Sequence, residues 1–479
     1  MSFVSVAFLL YFLPVTAAIC LALGFSRNMQ NAWLFLAGLV FCAWGDPVTA
    51  FAMLVSVFVC TALGLAVERA REKGRRLRAV TAAACAFPLG LLLLLRYLPA
   101  LLPDLPFAAS ATAVAEGALP FTRPFGIAFF TLQALSYLLD VGRGEARAER
   151  NPVSVGLSVA FFPRLLAGPI LRCAEFAPQI RERRVTWEAF SEGVCRFAVG
   201  FGKAALLAYP LRQAADYVFQ TSALQASAGD GAGIPVLLLW MGLAAYALQL
   251  YHSFAGCSDM AGGISRMFGF AAKENFDDPY TARSVTDFWR RWHISLSDWF
   301  RTYLWSPFGE GADMDGGGRA ARRSLIVWLC IGLWYGATAT CVFWALWAFF
   351  WLTAERVTRL DRRNIPVPLR RLYVLLVVGI GWIFFRAPDM RSAFFYLRDA
   401  FGLSQNAFWG GAVLMLLREY WPVLLLGALF AGPLPRLFAS APKRAALAWP
   451  AAVLQVLALS AFFLGGFLYL VRAGGTVWM

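Results

Sequence analysis

The sequence predicts an all-α polytopic membrane protein, and two observations carry that prediction. Of its 479 residues 60% are hydrophobic and only 15% charged, and the mean hydropathy is +0.62. Apolar runs of spanning length recur from end to end, as at 79–101, 233–251 and 447–471. About 20 apolar residues carry a helix across the hydrocarbon core. Lipid offers the backbone no hydrogen bonds, so only helices or closed barrels cross it, and runs of this length are helices. Counting at ~20 residues per crossing gives roughly ten to twelve spans. No long soluble domain interrupts them, so residues 1–479 read as a single transmembrane domain.

Spans are expected near 4–24, 30–43 and 47–67. The first run lacks a basic flank and a clear small-residue cleavage site, so it reads as a retained span and not a signal peptide. Loop 68–78 is rich in Arg and Lys, which the positive-inside rule places in the cytoplasm. Working back, Arg27 is inside, Gly45-Asp46-Pro47 outside and the N-terminus outside. Residues 102–122 read as an external loop and 123–141 as a span ending at Asp140, followed by a cytoplasmic loop marked by Arg143, Arg147 and Arg150. Residues 153–170, punctuated by Pro163, Gly168 and Pro169, are too short for a full crossing and suggest a re-entrant or broken helix. Such backbone is tolerated only where protein or a cavity covers it. A charged, partly amphipathic cytoplasmic stretch occupies 171–195, and spans resume near 196–218 and 233–254.

Segment 255–305 mixes glycines with charged residues and does not read as a span. Within it Phe288, Trp292, Leu296, Phe300 and Leu304 recur at helical spacing. They predict an aromatic-basic helix from Ser284 to Leu304 at the headgroup level. A Gly-rich loop at 309–318 leads to one or two apolar helices over 324–352, with Tyr335 inside them. Loop 355–371 is basic and cytoplasmic. Spans near 372–386, 408–437 and 447–471 follow, with a late basic loop at Arg436, Lys443 and Arg444.

The net charge of +15 does not indicate a nucleic-acid protein, because the basic residues sit in short loops between spans. The nine cysteines contain no C-x-x-C pair and lie mostly in apolar runs, and there are only two histidines. These spacings point to no disulfide framework and no metal centre. Among other classes, a lipid or glycan transporter would need charged residues along several spans and an internal repeat, and the sequence displays neither.

Polar groups at membrane depth are costly and mark function. Two stretches stand out: Phe288-Trp-Arg-Arg-Trp-His293-Ile-Ser-Leu-Ser297 and Gly332-Leu-Trp334-Tyr335-Gly-Ala337. With them come Trp44-Gly-Asp46, Gly126-Ile-Ala-Phe-Phe130, Ser136-Tyr137, Asp140, Phe162-Pro163, Ala167-Gly-Pro-Ile170, Tyr251, Ser258-Asp259-Met260, Asn275-Phe276, Pro279-Tyr280, Gly381-Trp382 and Phe385-Arg386. In this order the residues resemble the membrane-bound O-acyltransferase family, in particular its bacterial branch of alginate O-acetylases and teichoic-acid D-alanyl transfer proteins. The resemblance implies a ring of transmembrane helices with re-entrant and interfacial helices. It implies transfer of an acyl group, here acetyl, from a cytosolic thioester such as acetyl-CoA toward an exported polysaccharide. It further implies an inner-membrane location among membrane lipids, no resident cofactor, no nucleic acid, and a periplasmic acetyltransferase partner beside the export machinery.

The same resemblance exposes two departures. The family's catalytic histidine falls in a Leu-Trp-His-Gly-Ala motif, where this chain has Leu333-Trp334-Tyr335-Gly336-Ala337. A phenol ionises near ~10, so only about a thousandth is ionised at pH 7. Tyr335 is a poor base but a competent hydrogen-bond donor. The related Tyr-Phe-Asp-Phe-Ser-Gly-Tyr-Ser-Asp stretch is here Tyr251-His252-Ser253-Phe254-Ala255-Gly256-Cys257-Ser258-Asp259, an acid lost and a histidine gained. Three readings of Tyr335 stand: a silent scaffold, a site rerouted through His252, and a carrier without a local histidine base. The catalytic candidates are Tyr335, His293 and His252. His293 also reads as a hydrogen-bonding residue that fixes its helix. Candidates for the donor are Arg290 and Arg291, which either snorkel to lipid phosphates or grip an anionic carrier, together with Trp334, Asn275 and Asp259. Asp259 reads as a helix cap or ion partner before an acid.

Overall fold

The computed structural model describes residues 1–74, 76–98, 126–166, 168–228, 234–305, 318–360, 363, 365–433, 445–472 and 474. The described residues form helices and no strands, and seven of these helices are long and apolar enough to cross a membrane. The external loop at 102–122, most of the Gly-rich loop and the late basic loop at Arg436, Lys443 and Arg444 lie outside the described residues. The helices gather into two compact units, Met1–Phe197 with Cys257–Lys273, and Ala198–Gly256 with Glu274–Met479.

The first unit contains α1 (Leu13–Ala22), α2 (Arg27–Ala43), α3 (Pro47–Glu72), α4 (Leu77–Leu92), α5 (Ile127–Arg143), α6 (Pro152–Ala160) and α7 (Cys173–Glu182). Helix α3 starts at Asp46-Pro47 for two local reasons. Asp46 accepts from the N–H of Val48 at 3.1 Å and of Thr49 at 3.2 Å, and a proline at the first helical position loses nothing by lacking its own N–H. The broken helix expected over 153–170 takes the form of the nine-residue α6, an extended Phe161 and one 3₁₀ turn at Phe162–Arg164. Protein covers this irregular backbone. Phe161, Phe162 and Arg164 are buried, Arg164 donates to the Leu171 carbonyl at 2.8 Å, and its guanidinium lies 4.4 Å from the Phe176 ring centre.

Helices α8 (Trp187–Gly202) and α9 (Tyr209–Ala228) are joined by a π turn, Lys203–Ala208. Helix α10 runs without a break from Val236 to Met267. This corrects the expectation that the span ends near 254. Glycines that resemble loop signals in the sequence lie inside the helix, where they admit backbone against backbone. In the first unit a Cβ on Gly263 would lie 2.6 Å from the Gly193 carbonyl oxygen and 2.7 Å from the Phe197 nitrogen. In the second unit a Cβ on Gly256 would lie 2.8 Å from the Gly200 carbonyl oxygen.

The second unit continues with α11 (Val285–Arg291), α12 (Ile294–Phe300), α13 (Gly318–Tyr335), α14 (Ala339–Thr358), α15 (Val367–Arg386), α16 (Met390–Ala400), α17 (Gly411–Phe430) and α18 (Ala445–Arg472). Helices α13 and α14 form a tight hairpin. A Cβ on Gly332 would sit 2.7 Å from the Ala345 Cβ, and Thr338 caps α14 by accepting from Cys341 N at 3.3 Å.

Gly263→Ala tests the close crossing. Its added carbon meets backbone, which cannot swing away, so the fold loses about 1–3 kcal/mol as in other overpacked interiors. A lowered thermal midpoint in detergent is the expected result, and an unchanged one contradicts the crossing.

Candidate functional site

The candidate site lies in the second unit and grows from a break in the chain. The single helix expected from Ser284 to Leu304 is instead α11 and α12, with a π turn after them at Arg301–Trp305. Between the two helices Trp292 is extended and His293 adopts a left-handed backbone with φ of 46°. For a residue with a side chain that conformation is strained by about 1–3 kcal/mol and tends to mark functional positions. Asn275 stabilises it. Its backbone oxygen accepts from Ile294 N at 2.9 Å, and its side-chain oxygen accepts from Ser295 N at 3.0 Å. Two residues on, Asp277 N donates to the Arg291 carbonyl at 3.0 Å. One short segment therefore pairs with both sides of the break.

The turn buries His293, leaving it 2% exposed. Its ring is packed among Phe254, Phe276 and Trp334, with centroids at 6.1, 6.0 and 6.4 Å. Among the described residues neither ring nitrogen meets a partner from another residue, and neither does the Asn275 side-chain nitrogen. Buried polar groups are otherwise nearly always paired. Burial pushes the His293 pKa down to about 4, so the imidazole is neutral at pH 7 and one ring nitrogen can accept a hydrogen bond.

Tyr335 is the last residue of α13 and not a ring in mid-helix. It is half-buried and lies against Trp344 and Phe385, at 5.4 and 5.1 Å between centroids. The Trp292 indole N–H faces its phenol oxygen. Adjacent residues thus meet adjacent residues: Trp292 reaches Tyr335, and His293 reaches Trp334.

The structure brings together Tyr335, His293, Trp334 and Asn275. Arg290 and Arg291 sit one turn away at the end of α11. Arg291 is engaged, donating to the Asp287 carboxylate at 2.8 Å and lying 3.9 Å from that of Asp277. These carboxylates raise its pKa, the Asp287 hydrogen bond most of all. Arg290 is exposed, with no ion pair among the described residues. His252 lies in α10, fully buried, with Nε2 2.9 Å from the Gly427 carbonyl oxygen of α17. Among the described residues no ring contact joins it to His293 or Tyr335. Asp259 belongs to the first unit, where it pairs with Arg196 at 3.1 Å.

Glu355 was not a candidate from sequence. It is 3% exposed and accepts from Val285 N at 2.6 Å, Thr286 N at 2.9 Å and the Thr286 hydroxyl at 2.8 Å. The sequence offers one signal for it, an acid near the C-terminal end of a helix, where the dipole disfavours negative charge.

The His293 environment has a pH signature. Its folded value lies below the ordinary 6.5, so between those values the unfolded chain binds more protons and stability falls as pH drops. The full effect is roughly 3 kcal/mol. Melting temperatures of wild type and His293→Gln, taken from pH 7 to 4, are expected to converge at low pH. Parallel curves contradict a buried neutral imidazole.

Comparison with known sequences adds the following. Residues 158–391 match MBOAT, the membrane-bound O-acyltransferase family. A probable alginate O-acetylase of Pseudomonas putida is 35% identical over 404 residues, covering 82% of this chain and 79% of that protein. One of Azotobacter vinelandii is 40% identical over 268 residues, 56% of this chain and 51% of that protein. A peptidoglycan O-acetyltransferase of Helicobacter pylori is 30% identical over 317 residues, 59% of this chain and 57% of that protein.

Proposed function

The chain belongs to the membrane-bound O-acyltransferase family, and from that premise we propose that it moves an acetyl group from a cytosolic thioester, acetyl-CoA or a similar carrier, toward an exported polysaccharide. The observation that carries the reading is the buried, neutral His293 imidazole beside Trp334, whose ring in turn packs on that of Tyr335. It supplies an acceptor for the proton that the attacking hydroxyl must lose. In the transfer the acceptor oxygen bonds to the thioester carbonyl carbon and the carbon–sulfur bond breaks. The proton passes to His293 and then to the departing thiolate. A base positioned in this way contributes about 10²–10⁴-fold. Tyr335, whose oxygen faces the Trp292 indole, can direct its own O–H at the carbonyl oxygen as negative charge develops there, a role worth about 10²–10³-fold for a well-placed donor.

Arg290, exposed at the end of α11, suits the phosphates of the carrier, for which guanidinium groups are favoured partners. The protein would work in the bacterial inner membrane, with the basic loops inside and a periplasmic acetyltransferase receiving the acetyl group. Such a partner is in keeping with relatives that act on alginate and on peptidoglycan. One observation favours a second reading, a silent scaffold: Tyr335 stands where the family motif has histidine.

Acetyl content of the exported glycan, in a deletion strain complemented with variants, separates these readings. His293→Gln is expected to lower acetylation by about 10²-fold or more, and Tyr335→Phe by about 10-fold or more through loss of its donor. His252→Ala is expected to leave it intact. A loss with His252→Ala alone moves the base to His252. No effect of deletion, followed by acetylation with Tyr335→His, identifies a scaffold.

A further inference from the structure

We propose that Glu355 is a positioning residue for the acyl-transfer site. Its carboxylate holds the first turn of α11 on α14 and thereby fixes Trp292 and His293 against Tyr335 and Trp334. The assignment rests on the function proposed above.

Helix α11 has seven residues, too few to hold its shape alone, since isolated helices are marginal below about 12–15 residues. Its position is set by what grips its ends. At the N-terminal end the N–H groups of Val285 and Thr286 go to Glu355, while Asp287 N goes to the Ser284 hydroxyl at 2.9 Å. At the other end Trp292 faces Tyr335 and the His293 ring packs on that of Trp334 at 6.4 Å. Tyr335 closes α13 and Glu355 lies on α14, so one hairpin grips α11 at both ends.

Electrostatics indicate which helix Glu355 serves. It stands near the C-terminal end of α14, where the dipole of that helix opposes a carboxylate, and at the N-terminal end of α11, where the dipole favours one. Three N–H and O–H groups of α11 converge on its two carboxylate oxygens, and the Tyr373 hydroxyl of α15 faces the same carboxylate. A buried carboxylate placed against the preference of its own helix is accounted for by the neighbour it holds. Releasing α11 would free the Trp292–His293 step while leaving the α13–α14 hairpin packed through Gly332 and Ala345.

The test uses the purified full-length protein in nanodiscs, with Glu355→Ala and Glu355→Gln. Amide exchange over 285–292 is expected to quicken by about 10-fold or more in Glu355→Ala, with α13 and α14 unchanged. The kcat for acetyl transfer is expected to fall by about 10–100-fold, since small misplacements of reacting groups are that costly, while the donor KM stays within about twofold, as expected when binding is untouched. Glu355→Gln keeps one carbonyl acceptor and should fall between wild type and alanine in both measurements. It carries the test alone if the alanine variant does not fold. Unchanged exchange, or quickened exchange with kcat intact, overturns the proposal. Exchange is read without turnover, so the grip on α11 is tested even if wild type transfers no acetyl group, and that last result would count against the function alone.

Discussion

Ile294 and Ser295 give their N–H groups to the backbone and side-chain oxygens of one residue, Asn275. These two bonds let the chain abandon one helix at Arg291 and begin another at Ile294. A continuous helix would satisfy those N–H groups internally and would point residues 292 and 293 in successive directions 100° apart around one axis. With the break, Trp292 is extended and His293 left-handed, and the two rings face Tyr335 and Trp334. The site therefore depends on a side chain about twenty residues upstream that caps the second helix in place of the residue before it.

Around this turn the packing is aromatic. Trp382 stands 5.1 Å from Trp292 and 6.1 Å from Trp344 between ring centres, and Trp289 is 4.9 Å from Trp328. Large flat rings with few rotatable bonds fill space at low entropic cost and exclude water. Exclusion of water keeps the imidazole neutral and strengthens any dipole aimed into the site. The charged groups of the same sequence run behave differently. Arg290 is exposed and Arg291 is tied to Asp287, so the run Trp-Arg-Arg-Trp-His divides into aromatic groups turned inward and guanidinium groups at the rim.

Much of this was legible in the sequence, and the misses share a cause. Helix positions followed from apolar runs because lipid leaves the backbone no alternative. The broken segment after α6 followed from Pro163 and Gly168, whose backbone preferences are local. The candidate site was read from rare residues in a fixed order. By contrast, α10 was expected to stop near 254 because Gly256, Gly262 and Gly263 resemble loop signals; their meaning lies in the backbone they approach, which no local pattern contains. The break at His293 was missed for the same reason, since periodic apolar residues continue across it and the bonds that make it come from Asn275. Glu355 was hidden among loop charges, because an acid in a basic stretch looks solvated until the helix it caps is known.

Tyr335 is where these constraints meet the chemistry. A phenol and an imidazole can occupy the same space at the end of α13, but they exchange protons differently: one donates readily and accepts poorly near neutral pH, while the other does both. A site with one such position loses its base when the ring changes. Here an imidazole, His293, follows the Trp292 that faces the phenol and is already neutral because it is buried. In the proposed transfer, donation and proton acceptance fall to separate side chains, Tyr335 at the end of α13 and His293 between α11 and α12. Such a division demands that α11 be held against the α13–α14 hairpin, because two groups on different elements keep their relative geometry only if the elements do not slide. The interactions that hold α11 accordingly bear on the proposed chemistry as directly as the rings themselves.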